Sequence, residues 1–398
     1  MNPMPPSKSG SPDPEILFDT RQKAPRAPRV SIIIPMYNVR AYIDECLGGV
    51  MRAAEELDLE ILLIDDGSSD GTSSYLLSRL SRLNPEGVLL LRQDNRGLSA
   101  VRNLGVRLAR GEYLGFLDSD DLMVSASLRE LLDFGDQNGC DLVLGRSFVF
   151  DSRSQGVSPF YDAWAWERLL QGKASRVISR HEDPELYFLE PNANYRLMKR
   201  SFYLGEGFIY PEGRLFEDPP VHYEMLAKSR RVGLLNVPYY GYRVNRPGKI
   251  TEERSHRRFD ILAVADETFR KLEQLEISED AGGVIVYGMT RIIWWCGTMT
   301  LPEDRARFFE EAIARFDRVN PAWIRVFRGL PFPDEILHLV MGALIRKDLD
   351  RLIELSQNQR NPLRSFFYLL RLRRFDLLVR HLRARLPASR FLPLSRKS

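Results

Sequence analysis

The chain is 398 residues long, 44% hydrophobic and 28% charged, and its 57 Lys and Arg nearly balance 54 Asp and Glu for a net charge of +3. This is a globular composition with apolar material for one large domain or two. Its longest apolar stretches, such as Ile292-Ile293-Trp294-Trp295-Cys296, fall far short of the ~20 residues of a spanning helix, so no transmembrane segment is expected. Three widely separated cysteines, Cys46, Cys140 and Cys296, lack CxxC spacing. That argues against a disulfide framework and a zinc site, and for a reducing, cytoplasmic location.

Residues 1–28 carry Pro3, Pro5, Pro6, Pro12, Pro14, Pro25 and Pro28 and no apolar core that could serve as a signal peptide, which predicts a disordered tail. From Val30 onward, short apolar runs alternate with helical segments. Val30-Ser31-Ile32-Ile33-Ile34 ends at Pro35, and Leu59-Glu60-Ile61-Leu62-Leu63-Ile64 ends at "DDGSSDGT"; residues 88–91, 113–117 and 141–144 form further runs. The stretches between them have helical spacing, as at Val101, Leu104, Gly105 and Leu108. Strands apolar on both faces and joined by helices predict an α/β fold with a mainly parallel sheet flanked by helices. In such sheets ligands lie outside the carboxyl ends of the strands. Those exits read "PMYN", "DDGSSDGT", "RQDNRGLS" and "DSDD", so polar and acidic groups from four elements should converge on one rim. The alternation fades after residue 150: residues 151–250 are aromatic and loop-rich, and 258–386 read mostly as helix.

Each exit allows two readings. In "FLDSDD", Asp118 and Asp120 follow a buried strand and point to one side at period two. Two such carboxylates ~4 Å apart repel by roughly 4 kcal/mol at an effective dielectric of about 20. A shared divalent cation removes that repulsion, and Mg²⁺ in particular is held by one or two carboxylates plus substrate phosphates. The plainer alternative is that the acids cap the following helix. "DDGSSDGT" starts like an EF-hand loop, but the twelfth position is Leu77 where a bidentate Glu is needed, which rejects that site. As a strand-to-helix turn it leaves Ser69 or Asp70 to cap and Asp65 or Asp66 at the rim, where it can accept hydrogen bonds from a base or ribose. "NRGLSAVRNLG" places Arg102 and Asn103 near the first turns of a helix, a position that favours an anion. In "RLFEDPPVHYEML", Pro219 disfavours the α conformation at Asp218, presenting that carboxylate at a helix start as a general base or a cap, with His222 as a rival base. No Walker A or GxGxxG pattern accompanies these motifs.

Taken in order, "VSIIIPMYN", "LEILLIDDGSSDGT", "DNRGLSAVRNLG", "GEYLGFLDSDD", "FEDPPVHYEML" and "YYGYRVNRPGKIT" resemble the family 2 glycosyltransferases with the GT-A fold, over residues 28–251. The resemblance implies an inverting transferase that moves a sugar from a nucleotide-sugar donor, a UDP-sugar by preference, to a hydroxyl of a cell-surface glycan or lipid-linked acceptor, with Mn²⁺ or Mg²⁺ as cofactor. By it, Pro35, Tyr37 and Asp66 line the nucleoside pocket, Asn95 and Arg102 hold the ribose or diphosphate, and Asp118 faces the ribose or sugar. Asp120 ligates the metal, Asp218 supported by Glu217 is the base, and Arg243 and Arg246 close over the diphosphate. It divides the chain into a tail at 1–28, a GT-A domain at 29–255 and a helical region at 256–398. A catalytically silent binding or scaffold protein on the same fold would be expected to lack Asp120 or Asp218, and both are present. A nucleotidyltransferase would favour a Gly-rich, basic loop where this chain has "PMYNV".

Residues 360–398 hold ten Arg and one Lys against Asp376 alone, a +10 tail on a body of −7. Tyr368, Leu372, Phe375, Val379, Leu382 and Leu386 make one apolar stripe on a basic helix, which suits either a membrane interface near the inner face of the cell membrane or packing on the protein's own core. Nucleic-acid binding is not expected, since no recognition motif accompanies these residues.

Overall fold

Each of the apolar runs is a strand in the computed structural model of the chain, which describes residues 13–358 apart from residues 25, 152, 155, 180–182, 247–252 and 331–334. The first half comprises β1 (Glu15–Asp19), β2 (Val30–Met36), α1 (Ile43–Ala54), β3 (Leu59–Asp66), α2 (Thr72–Leu83), β4 (Val88–Gln93), α3 (Leu98–Leu108), β5 (Tyr113–Phe116), β6 (Leu122–Met123) and α4 (Ser125–Asn138). Then come β7 (Leu142–Asp151), β8 (Gly156–Pro159), α5 (Ala163–Leu170), β9 (Ser175–Ile178), β10 (Arg196–Lys199), α6 (Arg200–Glu206), α7 (Asp218–Lys228) and β11 (Val232–Val244). The remainder is helical: α8 (Asp260–Gln274), α9 (Glu279–Met299), α10 (Arg305–Phe316), α11 (Pro321–Gly329), α12 (Glu335–Arg346) and α13 (Leu349–Asn358). The basic stripe at 361–386 lies outside the described residues.

All strands join one sheet in the order β1-β4-β3-β2-β5-β10-β7-β11-β6, with β8 on β7 and β9 on β11. The expected parallel sheet is its centre: β4, β3, β2 and β5 run parallel through crossovers α1 to α3. Every residue of β2, β3 and β5 is buried, as strands covered by helices on both faces must be. Antiparallel β10 then joins β5 to β7, which pairs parallel with β11, so the complete sheet is mixed. The consequence for function is that the four parallel strands end on one rim, and β5 there runs directly into Asp118.

The tail expected over residues 1–28 needs correcting within its described part. Glu15–Asp19 pairs antiparallel with β4, and the Thr20 hydroxyl donates to the Pro85 carbonyl at 2.6 Å. The prolines dominate the composition, but Leu17 and Phe18 still pack against the core, and the strand covers a sheet edge that would otherwise expose unpaired backbone.

β6, just past the acids, is held from below by α1. A Cβ on Gly49 of that helix would sit 2.3 Å from the Met123 carbonyl oxygen. Gly to Ala in a helix ordinarily stabilises by about 0.5–1 kcal/mol. Here Gly49→Ala is expected to destabilise by about 1–3 kcal/mol through overpacking, seen as a lower melting temperature. An unchanged or raised Tm would show that β6 can move away.

Candidate active site

The rim is assembled by short polar residues that tie one loop to the next. Asp65, fully buried at the end of β3, accepts from the Ser68 amide at 2.9 Å, from the Ser68 and Ser73 hydroxyls, and from Arg92 at 3.2 Å. Asp66 beside it accepts from Gln93 Nε2 at 2.7 Å and from the amides of Arg96 and Gly97 at 2.8 and 2.7 Å. Three of the roughly four acceptor positions of that carboxylate are thus spent on fixing the β4–α3 loop. Gly67 makes the approach possible: its φ is +78°, and a Cβ there would lie 3.0 Å from the Asn95 amide. The loop after β2 is joined in the same way, with the Ser69 amide donating to Asn38 Oδ1 at 2.8 Å and the Asn38 amide to Ser68 Oγ at 2.9 Å. Of the Asp70 oxygens, one receives the Thr72 amide at the start of α2 at 3.0 Å and the other the Arg40 amide at 2.9 Å. Pro35 is buried within β2 opposite Ile64, whereas Tyr37, 54% exposed, and the exposed Asn95 stand out at the rim beside Asp66.

Next to this rim, carboxylates from distant parts of the chain converge on one guanidinium. Arg102, 1% exposed on α3, donates to Glu217 Oε1 at 2.7 Å, to Asp218 Oδ1 at 2.8 Å and to Asp118 Oδ1 at 3.2 Å. Burial alone would lower its pKa, but Asp218, Asp118 and Glu217 reverse that and hold it firmly charged. Its expected place on a ribose or diphosphate needs correcting: the side chain is enclosed and committed to three acids. A planar fork with five donors can serve several carboxylates at once, which an ammonium cannot do equally well. Neighbouring Asn103 pins the segment ahead of the acids, exchanging bonds of 2.9 Å with the backbone of Tyr210.

Asp218 is the first residue of α7, followed by Pro219 and Pro220, as a proline-started helix permits. Ahead of it, Phe216 has a left-handed φ of 63°, a conformation that costs about 1–2 kcal/mol in a non-glycine residue. The helical region holds it there: the Leu215 amide donates to Asp260 at 2.9 Å, and Trp295 packs edge-on against the Phe216 ring. Burial, opposed by Arg102 and reinforced by Glu217 and Asp118, pushes the Asp218 carboxyl up to about 7. Its side chain still keeps 22% of its surface open, so it can be reached. His222, the rival base, is buried one turn further on with Nδ1 against Arg196 at 2.5 Å. Burial and that charge push its pKa well down, so it is a neutral, enclosed ring and no base for this site.

On the other side, Asp120 pairs with Arg246, and its carbonyl accepts from Arg243 Nε at 2.5 Å. Asp121 faces β11, accepting from the Tyr240 hydroxyl and from the Arg243 amide at 2.7 Å. Its carboxyl is pushed well up by burial and by Asp120 and Asp118. The acids therefore do not cap α4, which begins after Val124. Asn194, just before β10, donates to Asp118 Oδ2 at 2.9 Å and to Tyr240 at 3.2 Å. Sequence reasoning missed Asn194 and gave Tyr240 no role. The available signal was an Asn pair, Asn192 and Asn194, just ahead of the short strand Arg196–Lys199.

Sequence comparison covers the strand-exit part of this arrangement. The description "Glycosyl transferase family 2" matches residues 31–211. Residues 31–211 thus carry a glycosyl transferase family 2 domain. The chain is 32% identical over 234 residues to the uncharacterized glycosyltransferase EpsJ of Bacillus subtilis (strain 168), a match covering 56% of this chain and 63% of EpsJ. It is 35% identical over 134 residues to the poly(ribitol-phosphate) beta-glucosyltransferase of Bacillus spizizenii, covering 33% of this chain and 21% of that one. The matched region thus spans less than two thirds of either relative. Among solved structures, S. aureus TarS residues 1–349 in complex with UDP-GlcNAc superposes with a TM-score of 0.66 at 17% identity, covering 83% of this chain and 91% of that one. That likeness establishes the GT-A architecture with its helical extension. Glu217, Asp218, Arg243 and Arg246 lie beyond the matched 31–211.

Proposed function

We propose that the chain transfers a sugar from a nucleotide-sugar donor, a UDP-sugar by preference, to a hydroxyl of a cell-surface glycan or lipid-linked acceptor, with inversion. One observation carries this reading: Asp218, with a pKa raised to about 7 and its side chain partly open, sits in one cluster with Asp118 at the donor rim. A displacement with inversion needs a base on one face of the anomeric carbon and charge neutralisation of the leaving diphosphate on the other. In this chain Asp218 takes the proton of the acceptor hydroxyl. Arg102 keeps it oriented, and Glu217, on the same guanidinium, raises its basicity. Tyr37, Asp66 and Asn95 frame the nucleoside, and Asn194 aims Asp118 toward the ribose or sugar.

Among the described residues no group of three or more His, Cys, Asp or Glu is arranged to hold a metal ion. The oxygen donors Asp120 and Asp118 fit Mn²⁺ or Mg²⁺ of the kind completed by substrate phosphates; bound there, the metal would neutralise the diphosphate. Arg246 and Arg243, already beside Asp120, supply positive charge at the same place. Free, buried Cys46, Cys140 and Cys296 suit a reducing, cytoplasmic compartment. No helix among the described residues is long and apolar enough to cross a membrane.

Nucleoside diphosphate release from UDP-sugars in the presence of glycan acceptors tests the reading through its pH profile. Because Asp218 must be ionised to accept a proton, kcat/KM should rise tenfold per pH unit below about 7 and level off above it. A rate that falls as pH rises through 7 would require an acid in that position and overturn the assignment.

A further inference from the structure

A concavity of ≈340 Å³ lies where the start of α5 and the segment 187–191 meet α7 and α9, within the ~300–1,000 Å³ of small-molecule sites. Its walls are rings: Tyr161, Trp164, Tyr187, Phe188, Tyr223 and Tyr287. Its polar groups are Asp162, Glu190 and Arg291. Asp162 occupies the N-cap position of α5, yet its side chain does not cap that helix. One oxygen accepts from the Glu190 amide at 3.0 Å, while Oδ1, on a residue only 3% exposed, has no protein partner. A buried carboxylate oxygen left this way costs free energy unless a ligand donates to it. Arg291 is ion-paired with Glu190, so the cavity carries one uncompensated negative charge, which disfavours phosphate. Tyr161, 58% exposed, stands at the open side. Gly288 allows the Tyr223 ring in, since a Cβ there would lie 2.3 Å from its hydroxyl.

Aromatic faces with a few convergent acceptors and donors match the apolar C–H faces and hydroxyl rim of a pyranose. The cavity also shares two elements with the candidate active site. Tyr223 is five residues along α7 from Asp218, about 7.5 Å of helix rise, and the segment that supplies Glu190 and Pro191 continues to Asn194, the partner of Asp118. We propose that this cavity binds one neutral saccharide ring of the acceptor, with Asp162 Oδ1 accepting a sugar hydroxyl and Tyr161 stacking on the ring. The acceptor role rests on the glycosyl-transfer reading; saccharide binding does not.

Saturation-transfer NMR on the full chain, with methyl β-glucopyranoside, methyl β-galactopyranoside and methyl β-N-acetylglucosaminide as probes and UDP present, tests it. The expected result is transfer to at least one glycoside in the wild type, and about tenfold weaker binding in both Asp162→Ala and Tyr161→Ala, as loss of a charged hydrogen bond or a stacked ring implies. Thermal stabilisation by UDP should be the same in all three proteins, which reports that the variants are folded. No transfer in the wild type, or unchanged affinity in either variant, overturns the proposal. If glycosides bind but UDP does not, the donor reading falls while the saccharide site stands.

Discussion

Asp218→Asn is expected to lower kcat on the order of 10³-fold, inside the 10²–10⁴ range of general base catalysis, while leaving UDP-sugar binding within a few-fold of wild type. Asn keeps the shape and an oxygen toward Arg102, which donates to Asp218 Oδ1 at 2.8 Å, but it cannot take a proton. The residual rate should also lose the rise toward pH 7 that the perturbed carboxyl imposes on the wild type. A variant with a rate near wild type would move the base elsewhere, and Glu217, 8% exposed on the same arginine, would be the residue to examine next. Loss of donor binding along with turnover would instead give Asp218 a structural role.

Arg102→Met should have the largest effect on stability. It removes the one guanidinium shared by Asp118, Glu217 and Asp218 and leaves three acids in a buried cluster. Breaking a buried ion pair from one side costs about 3–5 kcal/mol, a fall in Tm of roughly 5 °C for a chain of this size. The deficit should shrink as pH is lowered, because protonating the stranded acids removes their repulsion. Arg102→Lys should fall between the two proteins, since a single ammonium cannot reproduce the fork. A Tm within a degree or so of wild type, at neutral pH and for the Met variant, would mean that the cluster is solvated rather than held.

The parallel centre of the sheet was legible because β-branched runs buried on both faces leave little choice of structure, as at Ile32, Ile33 and Ile34. β11 was not, since Pro238 and two register shifts break its pattern against β7, and β1 was hidden behind the prolines around it. In the site, Asp118, Asp120, Glu217 and Asp218 stood out because acids following apolar runs call for a reason. What local sequence could not reveal is who meets whom. Arg102 reads as an anion binder near a helix start, yet Glu217 and Asp218 arrive from 115 and 116 positions away and claim it. Asn194 has the appearance of an ordinary turn residue until β10 places it against Asp118.

A rim built to hold a nucleoside diphosphate, with a metal at Asp120, should reveal itself in nucleotide binding. Calorimetric titration of the wild type and Asp120→Ala with UDP, GDP and ADP, each with and without Mn²⁺, tests it most directly. UDP should bind the wild type most tightly, Mn²⁺ should strengthen that binding about tenfold or more, and Asp120→Ala should lose the Mn²⁺ effect. Absence of binding by any of the three at millimolar concentration, or a Mn²⁺ effect that survives the substitution, would contradict it.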